Sequence, residues 1–358
     1  MTPPDGHRPA APAPRGQGER VPDEKPEDAA SRLLEMHDRL IHSRALQTAA
    51  ELGIGDLLAD GPRTAADLAA ATSTRPDALY RLLRLLGACG VLTETEPGGP
   101  FALTPSGGPL RSDHPFSVRS TLAFGGVIAT AFNAWTHSLR TGEASFPEVF
   151  GAPFFDYLED RPEHGALFNA AMEEMSRPVV SAVVGCYDFA AARRIVDVGG
   201  GNGTLMSAVL RTAPEAHGII LDAPHVVGAA RGKIRDSGLE ERCTVVGGDF
   251  FQKVPEGGDL YLLKWILHDW PDDRATAILR GCRQAMAEDG RVVLVETVVP
   301  PGDTPHPSKT MDLSILALLG GLERTEEQFA SLLADAGLRL RRVVSTPSPF
   351  SLIEAESV

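Results

Sequence analysis

The sequence predicts an α/β protein: a doubly wound, mostly parallel sheet with an antiparallel edge strand, preceded by an all-α module that ends in a winged-helix hairpin. Three observations predict it. From Ala191 onward short apolar runs alternate with helical segments, the pattern of a parallel sheet covered on both faces. The first run ends in Gly199-Gly200-Gly201-Asn202-Gly203, a turn in which a strand tip passes sharply into a helix. Before these, amphipathic stretches between residues 29 and 89 lead into two short apolar runs around a Gly-Pro turn.

Composition bounds the function classes. A chain of 358 residues holds two domains and a sizeable core. Its net charge of −14 argues against a nucleic-acid surface. Cys89, Cys186, Cys243 and Cys282 are widely spaced and form no C-x-x-C pair, so reduced, mostly buried thiols are expected, with neither a zinc site nor a disulfide framework. There is no long apolar run and no signal-like segment at Met1, which predicts a cytoplasmic chain with no membrane partner.

Residues 1–28 are rich in proline, glycine, alanine and charge and are expected to be disordered. Residues 29–114 form the first folded module. Leu33, Leu34, Leu40, Ile41, Ala45, Leu46, Ala49 and Leu52 share one face of a helix. A second helix runs from a Thr64 cap to Ala71, and a third from Arg75 to Cys89 behind Pro76. Gly90–Thr93 and Phe101–Thr104 then read as a hairpin. Such a winged helix invites a DNA-binding reading through Arg75, Arg81 and Arg84, but Glu51, Asp56, Asp60, Asp67 and Asp77 dilute the basic charge a DNA reader needs. Dimerisation is the other reading.

Residues 115–184 are a mainly helical connector that concentrates the aromatic content: Phe132, Trp135, Phe146, Phe150, Phe154, Phe155 and Tyr157. Core packing accounts for such residues, and an apolar pocket for a planar ligand needs the same chemistry. The sheet domain spans 185–358, with strands at Arg194–Val198, Gly218–Leu221, Cys243–Val246, Leu260–Lys264 and Arg291–Glu296. Leu338–Val344 and Phe350–Ala355 lie close enough for a final hairpin.

Strand tips carry polar groups. Ile195–Val198 leads into the glycines, Gly218–Leu221 ends at Asp222, and Cys243–Val246 leads to Asp249-Phe250. The spacing Gly199, Gly201, Gly203 differs from G-x-G-x-x-G and lacks a P-loop lysine. Asp222 falls where an adenosine ribose offers its hydroxyls, and a carboxylate accepts from such donors. This series, followed by Asp259-Leu-Tyr-Leu-Leu-Lys264-Trp-Ile-Leu-His268-Asp269-Trp270-Pro271, resembles the S-adenosylmethionine-dependent small-molecule O-methyltransferases of the plant phenylpropanoid and bacterial antibiotic-tailoring type. The resemblance runs from near Ala30 to the C-terminus. It implies a Rossmann-like catalytic domain, a winged-helix dimerisation domain, S-adenosylmethionine as cofactor, a homodimer, and a small aromatic substrate.

Methyl transfer from a sulfonium to an oxygen needs one positioned base and no metal. His268, just past the fourth strand, matches the family's base, with an unperturbed imidazole expected near 6.5. Glu296 and Glu323 match the carboxylates that hold it; capping beside Thr325 is the plainer explanation for Glu323. The resemblance further implies Gly199, Gly201 and Gly203 under the methionine moiety, Asp222 on the ribose, Asp249 and Phe250 near the adenine, Trp270 stacking there, and Lys264 and Ser176 towards the methionine end. For the acceptor it implies Phe168 and Met172, with Asp269 beside the base, although packing alone also explains the first two. Leu318-Leu319 and Leu322 depart from the plant pattern, so the acceptor is not carried over from plant enzymes. Other readings stay open: a member that uses the same cofactor for hydroxylation or decarboxylation, and a winged-helix, ligand-sensing regulator.

Overall fold

The structure, a computed structural model, describes residues 25–358. The expected disordered tail lies outside them up to residue 24, and the first helix, α1 (Pro26–Glu51), begins before the anticipated boundary at residue 28. The chain divides into compact units at Ser43 and Arg44. In the first, Leu33, Leu34, Met36, Leu40 and Ile41 are exposed, so that stretch of the anticipated apolar face is not buried within this chain.

In the second unit α1 continues with Ala45 and Ala49 buried, followed by α2 (Ile54–Leu57), α3 (Ala65–Thr72) and α4 (Pro76–Ala88). Thr64 starts α3 as expected: its hydroxyl accepts from Asp67 N–H, and Asp67 reaches back to the Thr64 N–H, so a capping box satisfies donors the first turn leaves free. The hairpin β1 (Leu92–Glu94) and β2 (Phe101–Leu103) is antiparallel, as its sequence suggests. Connector helices follow: α5 (Arg119–Phe132), α6 (Trp135–Thr141), α7 (Phe146–Phe150), α8 (Phe154–Asp160) and α9 (Pro162–Cys186). Phe124, Phe146, Phe154, Tyr157 and Ala171 from these helices share one core with Leu318.

The remaining elements are β3 (Arg194–Val198), α10 (Thr204–Thr212), β4 (His217–Asp222), α11 (Val227–Asp236), β5 (Cys243–Gly247), β6 (Gly258–Lys264), α12 (Asp272–Ala285), β7 (Met286–Thr297), α13 (Ser308–Leu319), α14 (Glu326–Asp335), β8 (Leu338–Ser345) and β9 (Phe350–Ser357). They build a seven-stranded sheet of order β5-β4-β3-β6-β7-β9-β8. The first five of these strands are parallel, and β9 pairs antiparallel with both β7 and β8, so the final hairpin closes one edge with its second strand inside. Arg339, Arg341 and Arg342 on β8 charge that edge, which discourages pairing with another sheet.

Both faces of the sheet are apolar because alternate residues point to opposite sides. Ile195, Leu260 and Leu262 pack towards Val183 of α9 and Leu205, Met206 and Val209 of α10, while Val196, Tyr261 and Leu263 pack towards Ile278 and Leu279 of α12 and Phe329 of α14. Each such side chain, fully buried, contributes roughly 1.5–3 kcal/mol. Strand order reverses between β3 and β6, which are paired neighbours. Ligands of open α/β sheets bind beyond the strand tips at such a switch point. The glycine turn leaves β3 there, and the His268 loop leaves β6 beside it. Among the described residues, no helix is long and apolar enough to cross a membrane. Cys243 and Cys282 are buried, which pushes each thiol up to about 12, but Cys89 is exposed, contrary to a mostly buried set.

Candidate active site

The β3 side of the switch point is built from backbone. Gly199, Gly201 and Gly203 all have positive φ, a conformation that side chains disfavour. At Gly199 a Cβ would strike Ile266, and at Gly203 it would strike Ile220, whereas at Gly201 it would meet nothing within 4 Å. The top of the turn is therefore open. Gly199 N–H donates to Leu221 O at 2.8 Å, tying the turn to β4. Asp222, at the tip of β4, accepts from Gly201 N–H and Ala223 N–H, each at 2.7 Å, through different carboxylate oxygens. Burial pushes its carboxyl up despite those donors. Each oxygen keeps a lone pair for a further donor such as a ribose hydroxyl.

Asn202 was not singled out in the sequence, yet it anchors the turn. Its Oδ1 accepts from Thr204 N–H and Oγ1–H, and its Nδ2 donates to Glu173 of α9 at 3.0 Å. Glu173 also accepts from Lys233 of α11 at 2.6 Å. Asp249 is exposed and spends its carboxylate locally, on Phe251 N–H and the Gln252 amide. Phe250 lies edge-on to Trp270, with ring centroids 6.4 Å apart.

Lys264 ends β6 and donates to Ser176 Oγ of α9 at 3.0 Å, so the structure brings these anticipated residues together. Burial lowers the Lys264 ammonium to about 8, against the attraction of Asp197. Asp197, which the sequence reading passed over, is buried on β3 with Oδ2 unpartnered, and burial pushes it up to about 7. Phe168 packs between Phe124 and Phe154, at 5.3 and 5.5 Å, and Met172 is half-buried one turn further along α9.

The β6 side is built from charge. Trp265 has φ +59°, the left-handed region, which a bulky side chain enters only when its surroundings impose it. That turn aims the N–H groups of Ile266 and Leu267 at Glu296 Oε1, at 3.0 and 2.9 Å. A one-turn helix over Leu267–Asp269 then presents His268. Its Nδ1 lies 2.8 Å from Glu323 Oε1 and 3.6 Å from Glu296 Oε2, and its Nε2 lies 3.3 Å from Asp269 Oδ1. Glu323 is further held by the Thr297 hydroxyl and, through its N–H, by Asp312 of α13 at 2.9 Å. Glu323 is thus the hydrogen-bond partner of the imidazole. Glu296 sits just outside hydrogen-bond range, with Oε2 unpartnered.

These groups are buried together, and their ionisation is coupled to that fact. The imidazole does not stay near its ordinary value. Burial lowers it, but the charges of Glu296, Asp269 and Glu323 outweigh burial and raise it to about 10. With carboxylates at both ring nitrogens, the geometry suits an imidazolium, which donates from both. Burial raises Glu296 to about 7 and Asp269 to about 6, in each case against the pull of His268. His268, Glu296 and Glu323 keep one ligand atom each within 4.8 Å, a spread a cation could also span. The 2.8 Å contact between His268 Nδ1 and Glu323 Oε1 is an ordinary hydrogen-bond distance. Two zinc ligands at about 2 Å from one tetrahedral ion stand roughly 3.3 Å apart.

A doubly wound sheet whose switch point pairs an open glycine turn with a buried imidazole–carboxylate cluster is the frame of an enzyme with room for a nucleoside-like ligand at its strand tips. Comparison with known proteins makes the class specific. The O-methyltransferase domain matches residues 132–339, and the O-methyltransferase dimerisation domain matches residues 34–108. The chain is 43% identical over 332 residues to a phenazine O-methyltransferase of Lysobacter antibioticus, covering 92% of this chain and 96% of that one. It is 42% identical over 338 residues to the O-demethylpuromycin O-methyltransferase of Streptomyces alboniger, covering 92% and 90%. Among solved structures, an O-methyltransferase from neocarzinostatin biosynthesis, in complex with S-adenosylmethionine and 2-hydroxy-5-methyl naphthoic acid, superposes with a TM-score of 0.80 at 36% identity, covering 88% of this chain and 96% of that one. The chain belongs to the O-methyltransferase family.

Proposed function

We propose that this O-methyltransferase methylates a hydroxyl of an aromatic natural product, a phenol, aromatic acid or polyketide, with His268 as the base. The observation that carries the reading is the buried His268–Glu323 contact at the tip of β6, beside the glycine turn. S-adenosylmethionine, when bound, supplies a methyl group on a positively charged sulfur. The open turn at Gly201 and the acceptor oxygens of Asp222 fit such a donor, whereas a phosphate-bearing ligand would call for basic groups there.

The residues divide the work. Gly199, Gly201 and Gly203 let the ligand approach the backbone, Asp222 accepts from the ribose, and Asp249, Phe250 and Trp270 flank the adenine. Lys264 and Ser176 take the methionine end. Phe168 and Met172 hold the acceptor ring in the aromatic connector, with Asp269 beside its hydroxyl. In its neutral form His268 accepts the hydroxyl proton at Nε2 while its Nδ1–H donates to Glu323, and Glu323 with Glu296 stabilises the imidazolium that forms. An imidazole raised to about 10 is matched to a phenol, whose pKa is near 10, so the proton moves with little uphill cost. Domain boundaries near residues 29, 115 and 185 separate dimerisation module, connector and catalytic sheet. The match over 34–108 and the exposed apolar residues from Leu33 to Ile41 support a homodimer.

The test supplies S-adenosylmethionine with a panel of hydroxynaphthoic acids, hydroxyphenazines and phenolic polyketides and follows S-adenosylhomocysteine and methyl ethers by mass spectrometry. Acceptor-dependent methyl ether, lost in His268→Gln while S-adenosylhomocysteine still binds, is the expected result. Wild-type turnover in His268→Gln would remove the histidine from the role of base.

A further inference from the structure

We propose that Arg324 is a positioning residue for the reaction: its guanidinium clamps the loop carrying His268 to the loop carrying Glu323, so that base and carboxylate are held as one unit. The inference rests on the reading of His268 as the base. Arg324 is 0% exposed and heads the largest fully buried side chains among the described residues. A buried guanidinium is costly unless its donors are matched. Here they are. Nη1 donates to Leu267 O at 2.9 Å and Leu322 O at 3.4 Å, Nη2 to Trp270 O at 2.9 Å and Asp272 Oδ1 at 2.8 Å, and Nε to Asp272 Oδ1 at 3.0 Å.

Leu267 and Trp270 bracket His268, so the fork grips both sides of the base. The carbonyl of His268 itself accepts from Leu322 N–H at 3.0 Å. Gly321 allows this approach, because a Cβ there would overlap that carbonyl oxygen. On its other side Arg324 bridges to Val298, and its carbonyl accepts from Val299 N–H at 2.9 Å, just past the strand that carries Glu296. One residue therefore ties together the chain segments that supply His268, Glu323 and Glu296. None of this is needed to fill a core: a leucine would occupy much of the volume but remove the guanidinium donor from the Trp270 carbonyl and leave the Leu267 carbonyl with only the Trp270 N–H at 3.3 Å. A lysine keeps the charge but lacks the planar fork that reaches several acceptors at once.

If the clamp sets the His268–Glu323 distance, loosening it lets the imidazole move away from Glu323, Glu296 and Asp269, whose charges hold its proton. The experiment compares wild type, Arg324→Lys and Asp272→Asn by ¹⁵N-histidine NMR titration, with the His268 signal assigned from its absence in His268→Gln. In parallel it measures the dissociation constant of S-adenosylhomocysteine. Arg324→Lys is expected to lower the His268 pKa by at least about one unit towards the ordinary imidazole value near 6.5. S-adenosylhomocysteine affinity should change less than about twofold, and turnover should fall about 10- to 100-fold, as for a small misplacement of a reacting group. A variant that only loses stability shows a lower melting temperature with the His268 pKa unmoved, and that result overturns the proposal. If Arg324→Lys does not fold, Asp272→Asn decides, since the Asp272 side chain is 71% exposed and its change leaves the core intact. A downward shift in the same direction supports the clamp, and an unchanged pKa rejects it. Full transfer activity in His268→Gln would instead sink the reading of the base, whatever the Arg324 variants do.

Discussion

The two sides of the switch point solve different problems by different means. On the β3 side the chain shapes space: glycines at positive φ, backbone N–H groups and one carboxylate at the tip of β4 frame an open turn. On the β6 side it stores charge: an imidazole and carboxylates are buried in contact, and His268, Glu296 and Asp269 are shifted well away from their ordinary pKa values. On the proposed function, the difference assigns binding to the first side and proton chemistry to the second. A change on the β3 side should weaken the ligand with little effect on the proton, and a change on the β6 side should do the reverse.

The largest expected effect lies on the β6 side. His268→Gln should lower turnover roughly 10²- to 10⁴-fold, the usual worth of a positioned base, with S-adenosylhomocysteine affinity nearly unchanged by calorimetry. A comparable fall in affinity would erase the division between the two sides. Next comes Asp222→Ala. Loss of hydrogen bonds to a charged acceptor costs about 1.5–3 kcal/mol, so S-adenosylhomocysteine should bind about 10- to 100-fold more weakly. An unchanged dissociation constant would mean that Asp222 only braces Gly201 and Ala223.

The smallest effect sharpens the comparison between charge and stability. Asp197 is raised by burial to about 7 in the folded protein, against about 3.9 when unfolded. For a group raised in this way, the contribution to stability is fully present below pH 3.9 and is lost as pH rises through about 7. Asp197→Asn should therefore gain melting temperature relative to wild type as pH goes from 4 to 8. A constant gap between the two proteins across that range would show that Lys264 fully neutralises Asp197.

The sequence disclosed the two sides unequally, for a physical reason. The β3 side is local. Strand, glycines and the acid at Asp222 follow from period-two apolar runs and from the conformations glycine alone adopts freely, and the strand order places them at the switch point. The β6 side depends on partners far apart in the chain: Glu323 lies 55 residues from His268, and Arg324 lies 52 from Asp272. No spacing rule marks such pairs, so the sequence placed Glu296 at the sheet edge only as the end of its strand, Glu323 came from family resemblance, and Arg324 from neither. The raised imidazole could not be read either, because it depends on three carboxylates packed around one ring. In α1 the helix forms as the periodicity describes, but burial follows only part of it. Periodicity described a face from Leu33 to Leu52, but the chain buries only the stretch after Ser43 and leaves Leu33 to Ile41 exposed.

The most direct test of the buried base is the pH dependence of kcat/KM at limiting acceptor, for wild type and Glu323→Gln. If His268 is the base, as proposed, it must lose its Nε2 proton to act, so the rate should climb with pH along a limb set by the high basicity of the imidazole. Removing the Glu323 charge weakens the hold on that proton, so the limb should move to lower pH while the plateau falls. A limb that stays in place when Glu323 becomes neutral, or moves to higher pH, would contradict the account.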